Sequence, residues 1–331
     1  MASTLQRPHA NLTTSYWRAD NSDPVLETTV GGILRDAAAA YPDWVALIEG
    51  TPDPATRRRW TYAELLTEAE RVARALLVCF APGEHLAVWA PNLPEWELLE
   101  FGAALAGVVL VTVNPTLRES ELAYVLHQSR AAGIFFAPDY RGRHLLNTLE
   151  SVRAGLPELR ETLLFSEWDQ FVASGSPTQV LPVVAPDDMA QIQYTSGTTG
   201  FPKGAMLHHR GIINSARFFA RRAGLLPGAG IITCVPLFHT GGCVLGVLGA
   251  VHAHARHILA PGFEAGLVLN LIETERAAVV GTVSTMLVAM MEHPDWTRRD
   301  LSSLRAIVSG GAPVPAALVR QIEATLEVLS R

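Results

Sequence analysis

The sequence predicts an α/β protein built on doubly wound parallel sheets. Short apolar runs alternate with stretches of helical spacing along most of the chain, and this alternation is typical of βαβ units with parallel strands. Gly, Pro and Asn mark the ends of these elements because they interrupt both helices and strands. A segment rich in Gly, Ser and Thr, residues 194–204, follows one predicted strand and is the first candidate site.

Three helices are predicted in the first half of the chain, each from a start signal. Residues 61–64 have the pattern of a capping box, and the helix behind them continues towards Gly83. We expect Asn92 to cap a second helix that ends at Gly107, and residues 116–119 to form a capping box that opens the third. Apolar strands are predicted over residues 86–90, 108–113 and 133–136.

A stretch with three prolines, residues 174–188, divides the chain into two parts. We predict a polar segment over residues 1–28, a first α/β subdomain over 29–185 and a second over 186–331. In the second part, helices are expected near residues 211–222, 242–251 and 264–275 and from Pro315, and strands near 189–194, 231–235, 278–283 and 306–309.

Size and charge exclude some classes of function. The chain has 331 residues, 49% of them hydrophobic, which is enough for a large core. Its net charge of -6 gives no reason to expect a nucleic-acid partner. The run Arg57-Arg58-Arg59 is short, so a solvated turn is favoured over a phosphate or nucleic-acid site.

The cysteines and the longest uncharged segment bear on the cellular compartment. Cys79, Cys234 and Cys243 follow no metal or disulfide spacing, which predicts reduced thiols in a cytoplasmic protein. No Lys, Arg, Asp or Glu occurs from residue 225 to 255, but repeated Pro and Gly favour a buried strand, turn and helix over a membrane-spanning helix. No transmembrane segment is therefore expected, and peripheral membrane contact stays open.

Residues 194–204 have the composition of a loop that wraps a polyphosphate. Glycine lets backbone N–H groups approach oxygen atoms, hydroxyl groups donate hydrogen bonds, and a lysine adds positive charge. The hydroxyl residues are Thr195, Ser196, Thr198 and Thr199, the glycines are Gly197, Gly200 and Gly204, and the lysine is Lys203. The spacing differs from that of a Walker loop, because Phe201 and Pro202 precede the lysine and a glycine follows it.

Two more loops are expected at the carboxyl ends of strands. One, residues 236–242, reads Pro-Leu-Phe-His-Thr-Gly-Gly and contains His239, and the other, residues 309–313, reads Ser-Gly-Gly-Ala-Pro. Because the carboxyl ends of parallel strands lie at one edge of a sheet, all three loops can converge on one crevice. The alternative for His239 is a packed core histidine.

A rival motif is His-x-His-x-x-His at His252, His254 and His257, a spacing that could bind a metal. No carboxylate or cysteine lies close by in sequence. The mixed spacing favours imidazoles that point to different sides of a strand or helix end. We therefore do not expect a metal site there.

The three loops together resemble the adenylate-forming, AMP-binding superfamily, which includes acyl-CoA synthetases, luciferases and peptide-synthetase adenylation domains. Residues 194–204 look like its signature, and similar segments occur in the family's order at residues 60–65, 92–96 and 113–115. Residues 236–239, Pro-Leu-Phe-His, are most similar to acyl-CoA synthetases that act on fatty acids.

This resemblance implies an acid–thiol ligase. The carboxylate of a fatty acid would attack the α-phosphate of ATP, releasing pyrophosphate and giving an acyl-adenylate, and coenzyme A would then displace AMP. The implied cofactors and co-substrates are ATP, Mg²⁺ and coenzyme A. The implied catalytic residues are Thr195, Lys203 and His239. The implied nucleotide contacts are Thr195, Ser196, Gly197, Thr198, Thr199, Gly200 and Lys203 at the phosphates and Gly310, Gly311, Ala312 and Pro313 along the adenine.

The same resemblance implies parts that this sequence does not contain. In the family, two doubly wound subdomains are followed by a β-barrel part and a C-terminal lid domain. A segment built around Gly-Tyr-x-x-Thr-Glu, whose glutamate holds Mg²⁺, has no counterpart, so the metal ligand is unknown. We expect a truncated ligase that alone binds ATP weakly and makes little or no acyl-CoA. The alternatives are a non-catalytic nucleotide-binding remnant and a P-loop phosphotransferase, which the spacing around Lys203 disfavours.

Overall fold

Two six-stranded sheets, a small hairpin and the helices around them make up the described part of the chain. The structure, a computed structural model, describes residues 15–16, 23–195 and 202–326. The strands are β1 (Val45–Glu49), β2 (Arg59–Thr61), β3 (His85–Trp89), β4 (Val109–Val113), β5 (Gly133–Phe136), β6 (Asp139–Tyr140), β7 (Arg143–His144), β8 (Glu161–Leu164), β9 (Met189–Thr195), β10 (Lys203–His208), β11 (Gly230–Thr233), β12 (Arg256–Leu259), β13 (Ala277–Thr282) and β14 (Ala306–Ser309).

The helices follow the alternation that the sequence predicts. They are α1 (Val30–Ala40), α2 (Tyr62–Cys79), α3 (Pro94–Ala106), α4 (Glu119–Gln128), α5 (Leu145–Arg153), α6 (Trp168–Ala173), α7 (His209–Arg222), α8 (Gly249–His252), α9 (Ala265–Glu275), α10 (Ser284–Glu292) and α11 (Ala316–Leu326). Gly241–Leu248 is a π-helical segment that runs directly into α8. Short 3₁₀ turns lie at Pro54–Thr56, Phe165–Glu167 and Pro294–Thr297.

Both large sheets are parallel except for one edge strand. Sheet I has the order β14-β13-β11-β12-β1-β2, and sheet II has the order β10-β9-β4-β3-β5-β8. β2 runs antiparallel to β1, and β10 runs antiparallel to β9. The predicted α/β class with two parallel-dominated sheets is therefore confirmed.

Each of the two large sheets contains strands from both sides of residue 185. β1 and β2, from early in the chain, belong to sheet I, where Leu47 lies opposite His257. β9 and β10, which follow residue 185, belong to sheet II, where Gln191 lies opposite Leu110. The division into subdomains at this point stays a prediction.

Helix α3 lies between the two sheets. All of its residues except Glu95 are buried, and a helix buried on every side belongs to the interior of a layered fold. Glu97 contacts His257 of sheet I, and Glu100 contacts Gln191 of sheet II. The largest hydrophobic cluster accordingly contains side chains from both sheets.

Helix starts agree with the sequence prediction at α2 and differ at α3. Thr61 accepts a hydrogen bond from the Glu64 N–H, and Glu64 accepts one from the Thr61 N–H, so the capping box is confirmed. The residue before α3 is Leu93, which makes no side-chain cap. The prediction that Asn92 caps this helix is wrong, because its side chain bonds to other loops.

The capping box predicted at residues 116–119 is also wrong. The N–H and the hydroxyl of Thr116 both donate to Asn114 Oδ1, at 2.9 and 2.8 Å. Such a local side-chain turn competes with helix formation. Helix α4 therefore starts later, where the N–H of Arg118 donates to Glu121 Oε2 at 3.0 Å.

The arginine run is not a solvated turn. The buried Arg57 donates to Glu275 Oε1 at 2.5 Å and to Asn270 Oδ1 at 2.7 Å. Arg59 also donates to Glu275, and Arg58 pairs with carboxylates at the surface. Because Glu275 lies 218 residues after Arg57, no local pattern revealed this contact.

The uncharged segment over residues 225–255 forms the buried strand β11 and the largely buried helical stretch from Gly241 to His252, as predicted. Among the residues that the structure describes, no helix is long and apolar enough to cross a membrane.

Candidate active site

The carboxyl ends of strands from both sheets face a cavity of about 590 Å³. In sheet I, β11 lies between β12 and β13, the two strands that follow it along the chain. In sheet II, β3 lies between β4 and β5 in the same way. Open sheets bind ligands at such switch points. Pro91 follows β3, Pro236 follows β11, and Pro261 follows β12, and all three line the cavity. The lining also includes Tyr140, Arg141, Phe238 and Phe263.

Asn92 joins the loops at the two switch points. Its Oδ1 accepts a hydrogen bond from the Leu237 N–H at 2.9 Å. Its Nδ2 donates to the carbonyl oxygens of Val235 at 3.1 Å and Ala260 at 3.0 Å. A buried amide with three backbone partners fixes the loop that precedes His239 against the loop after β3.

The strands on either side of the predicted phosphate loop, β9 and β10, pair as an antiparallel hairpin. Thr195 ends β9 and lies opposite Lys203, which begins β10, and both are exposed. The other predicted phosphate contacts lie outside the described residues: Ser196, Gly197, Thr198, Thr199 and Gly200. A Cβ at Gly204 would lie 3.0 Å from Ile192 Cγ2, so glycine is needed there for close packing and not for a positive φ. Lys203 is the only lysine in the sequence.

Helix α4 anchors both arms of this hairpin. The Tyr194 hydroxyl donates to the Val125 carbonyl oxygen at 3.3 Å. The Tyr124 hydroxyl donates to the Pro202 carbonyl oxygen at 3.1 Å. Burial raises the pKa of Tyr194 to about 12, so its phenol stays a donor at neutral pH. These contacts were not found from the sequence, since a tyrosine in an amphipathic helix carries no distinctive signal.

His239 lies in an exposed turn at the start of the π-helical segment. Its carbonyl oxygen accepts hydrogen bonds from the N–H groups of Gly242 at 2.8 Å and Cys243 at 3.1 Å. A Cβ at Gly242 would lie 2.4 Å from the Pro236 carbonyl oxygen, so the turn closes tightly only with glycine. Because the imidazole is exposed, the alternative of a packed core histidine is wrong.

An apolar groove of about 400 Å³ lies between the hairpin and the His239 turn. β10, α7 and the π-helical segment form its walls. Its lining includes Met206, Leu207, Ile212, Thr240, Val244 and Leu245. Met206 is 67% exposed, whereas Ile212 and Val244 are buried, with 4% and 2% exposed.

The third predicted loop lies at the edge of sheet I. β14, which precedes it, pairs with β13, so the loop is two strands away from β11, roughly 10 Å at the usual strand spacing. Gly310, Gly311, Ala312 and Pro313 are all exposed. Gly311 has a φ of +78°, which favours glycine, and Ser284 Oγ donates to the Pro313 carbonyl oxygen at 3.3 Å. Convergence of this loop with His239 stays a prediction.

The three histidines of the rival motif have separate surroundings. His257 Nδ1 lies 2.7 Å from Glu97 Oε2 in the core, and the His254 ring packs 4.9 Å from the Tyr41 ring. Burial lowers the pKa of His252. Within the described ranges, no group of three or more His, Cys, Asp or Glu could hold a metal ion. We therefore assign no ligand to Mg²⁺.

A family model described as AMP-binding enzyme matches residues 34–330, a range that includes all three candidate loops. The chain belongs to the AMP-binding enzyme family. The resemblance seen in the sequence is confirmed. As an AMP-binding enzyme it does not fit the P-loop alternative, because Lys203 lies in a strand, whereas a Walker loop leads into a helix.

Curated relatives of this AMP-binding enzyme extend well beyond its length. Acyl-CoA ligase sidI of Aspergillus fumigatus is 33% identical over 347 residues, which cover 97% of this chain and 57% of that protein. The mitochondrial medium-chain acyl-CoA ligase ACSF2 of Danio rerio is 30% identical, and the match covers 94% of this chain and 56% of that protein. YngI of Bacillus subtilis is 33% identical, covering 90% and 59%. The chain thus spans less than two thirds of the length of these relatives.

Solved structures of other proteins share the fold. The N-terminal domain of FACL13 from Mycobacterium tuberculosis has a TM-score of 0.80 at 25% identity, covering 90% of this chain and 74% of that one. The anthranilate CoA ligase AuaEII, in complex with anthranoyl-AMP, has a TM-score of 0.82 at 25% identity, covering 94% and 59%.

Proposed function

We propose that this chain carries the adenylate-forming part of an acyl-CoA synthetase that acts on a fatty acid. The observation that carries the proposal is the apolar groove between the strand that bears Lys203 and the turn that bears His239. A fatty acid in this groove would place its tail against Leu207, Ile212 and Val244, with its carboxylate towards the two polar residues. The names of the acyl-CoA ligase relatives support this substrate class.

The first step of the proposed reaction brings two anions together. A carboxylate oxygen forms a bond to the α-phosphorus of ATP while the bond to the bridging oxygen breaks, and pyrophosphate leaves. The exposed Lys203 ammonium would offset charge on the β- or γ-phosphate, and the Thr195 hydroxyl opposite it would donate to a phosphate oxygen. The predicted contacts over residues 196–200 would complete the phosphate site.

His239 and the loop after β14 would hold the other parts of the acyl-adenylate. The exposed His239 imidazole is proposed to lie where carboxylate and nucleotide meet. Gly310 to Pro313 is proposed to lie along the adenine. Among the described residues other than its chain neighbours, none has an atom within 4 Å of the position of a Cβ at Gly310, so there is space for a flat ring beside this backbone.

In the second step, the sulfur of coenzyme A would bond to the acyl carbonyl carbon, and AMP would leave as the thioester forms. Coenzyme A is proposed as acceptor because the relatives are named acyl-CoA ligases. Mg²⁺ is part of the proposal as the counter-ion of ATP, with no ligand assigned. The free thiols of Cys79, Cys234 and Cys243 support the proposed cytoplasmic location.

Isotope exchange between pyrophosphate and ATP tests this function. With the purified chain we expect slow exchange that requires a fatty acid, and binding of octanoyl-sulfamoyl-adenosine, a stable analogue of an acyl-adenylate. ATP binding without exchange would instead favour a non-catalytic nucleotide-binding protein. Failure to bind either nucleotide would contradict the proposal.

A further inference from the structure

One face of β9 carries polar side chains that lead from the core to the candidate site. Gln191, Gln193 and Thr195 alternate along the strand, so they share a face. The two glutamines are 1% and 6% exposed, respectively. Buried amides are costly unless they are hydrogen-bonded, so their partners are informative.

These partners form a chain of buried contacts between three elements. From α3, Glu100 Oε1 accepts a hydrogen bond from Gln191 Nε2 at 2.6 Å. Gln193 Nε2 donates to Gln191 Oε1 at 3.0 Å and to Cys243 Sγ at 3.1 Å. The Cys243 thiol in turn lies 3.4 Å from the carbonyl oxygen of His239. The polar chain therefore ends at the His239 turn.

The contact between Gln193 and Cys243 joins the two parts of the site that a ligand must bridge. Gln193 lies on the strand that ends at Thr195, and Cys243 lies in the π-helical segment behind His239. The His239 turn is closed by its own backbone hydrogen bonds, so it moves as a unit. Gln191 Oε1 also lies 3.7 Å from the Cys243 thiol. The hydrophobic side chains packed around this segment in the large core cluster carry no directional restraint.

We propose that Gln193 and Cys243 are positioning residues, which hold the His239 turn at a fixed distance from the phosphate-binding hairpin. Neither side chain is exposed, so neither contacts a ligand directly. The effect on ligands rests on the proposed function. ATP would contact mainly the hairpin, whereas an acyl-adenylate would span both the hairpin and the turn. Loss of the contact between Gln193 and Cys243 should therefore weaken the binding of an acyl-adenylate more than the binding of ATP.

The experiment compares Gln193→Leu and Cys243→Ala with the conservative Cys243→Ser and with Cys79→Ser, a control at a thiol outside this chain of contacts. Affinities for ATP and octanoyl-sulfamoyl-adenosine are measured by calorimetry. We expect Gln193→Leu and Cys243→Ala to lower the affinity for the analogue by about tenfold and the affinity for ATP by less than about twofold, since small displacements of groups in a site have large effects on binding. Cys243→Ser should restore most of the loss, because a hydroxyl can accept from the Gln193 amide.

A second measurement does not depend on ligand binding. The exposed imidazole of His239 reacts with diethyl pyrocarbonate, and mass spectrometry gives its rate of modification in each variant. We expect a changed rate in Gln193→Leu and Cys243→Ala and an unchanged rate in Cys79→Ser. If the wild type binds neither nucleotide, the proposed function fails, and a changed rate still supports the positioning role. The positioning role is overturned if His239 is modified at an unchanged rate in both Gln193→Leu and Cys243→Ala. It is also overturned if these variants lose affinity for ATP and for the analogue equally.

Discussion

The side chain of Asn92 accepts a hydrogen bond from the backbone N–H of Leu237 at 2.9 Å and thereby ties the first switch point to the second. Leu237 lies two positions before His239, in the loop after β11. One amide thus sets the geometry of a loop that lies 145 residues further along the chain. Its role is to shape the site rather than to start a helix.

Replacing Asn92 by Leu should destabilise the protein strongly. The variant leaves the Leu237 N–H and two carbonyl groups without their partner, so we expect a loss of about 2–4 kcal/mol in the free energy of unfolding. Urea denaturation measures the loss. The matched control is Asn147→Leu on the exposed side of α5, which should change stability by less than about 0.5 kcal/mol. Equal losses in both variants would contradict the role of Asn92.

His209 should make stability depend on pH between about 4 and 6.5. Burial lowers the pKa of His209 to about 4, and its Nδ1 accepts from the Val30 N–H at 3.3 Å, which requires the neutral ring. The unfolded chain takes up a proton below pH 6.5 while the folded one does not. The contribution of the neutral His209 to the free energy of unfolding is therefore fully present above this pH. It is lost as the pH falls towards 4, and the loss reaches about 3 kcal/mol.

The variant His209→Gln isolates this contribution. Its free energy of unfolding should fall less than that of the wild type between pH 7 and pH 4, because glutamine takes up no proton. His127→Gln, at an exposed position of α4, serves as the control and should follow the wild type. Parallel curves for wild type and His209→Gln would exclude His209 as the cause.

Glu100 should make the folded protein less stable as the pH rises, which is opposite to the effect of His209. Burial, together with the nearby Glu97, raises the pKa of Glu100 well above its usual value. The folded protein keeps this proton above pH 4.5, where the unfolded chain has lost it, so stability falls as the pH rises. We expect Glu100→Gln, which mimics the neutral acid, to be more stable than the wild type at pH 8 and to lose this advantage at pH 5. Glu150→Gln, on the exposed side of α5, should show no such change with pH in thermal denaturation.

The single lysine makes the phosphate site easy to probe. Lys203 is the only side-chain amine in the sequence, so mass spectrometry after treatment with acetic anhydride follows two amines, that of Lys203 and that of the amino terminus. If Lys203 pairs with a phosphate as proposed, ATP should slow its labelling at least about threefold, whereas adenosine, which lacks phosphates, should not. Labelling of the amino terminus is the internal control. Equal protection by ATP and adenosine would place the phosphates elsewhere.

Local patterns in the sequence predicted those elements whose signals lie within a few residues. The apolar run at β5 and the capping box at Thr61 were confirmed because neighbouring residues determine them. β12 was not predicted, because Arg256 and His257 leave it without a continuous apolar run. β1 was missed although most of its residues are apolar, like those of β5. The hairpin arm β10 was missed as well, because most of its side chains are exposed.

The candidate site was predictable where it follows a motif and not where it depends on distant partners. The loop after β9 and the turn at His239 follow from the motifs, whereas the pairing of Lys203 with Thr195 in a hairpin does not. The roles of Asn92 and Arg57 do not, because their partners are brought close only by the assembled sheets. The alternation of Gln191 and Gln193 in an otherwise apolar strand was the one readable sign of a buried polar chain.

Because each sheet joins strands that are far apart in the sequence, the order of synthesis affects how the protein folds in the cell. β1 and β2 leave the ribosome early, yet β1 gains its parallel neighbour only when β12 has been synthesised. At a translation rate of ~5–20 residues per second, the roughly 200 intervening residues take about 10–40 s. During this time the apolar side chains of Ala46, Leu47 and Ile48, fully enclosed in the finished protein, have no sheet to join. The nascent chain is thus prone to aggregation at β1 until β12 has been synthesised.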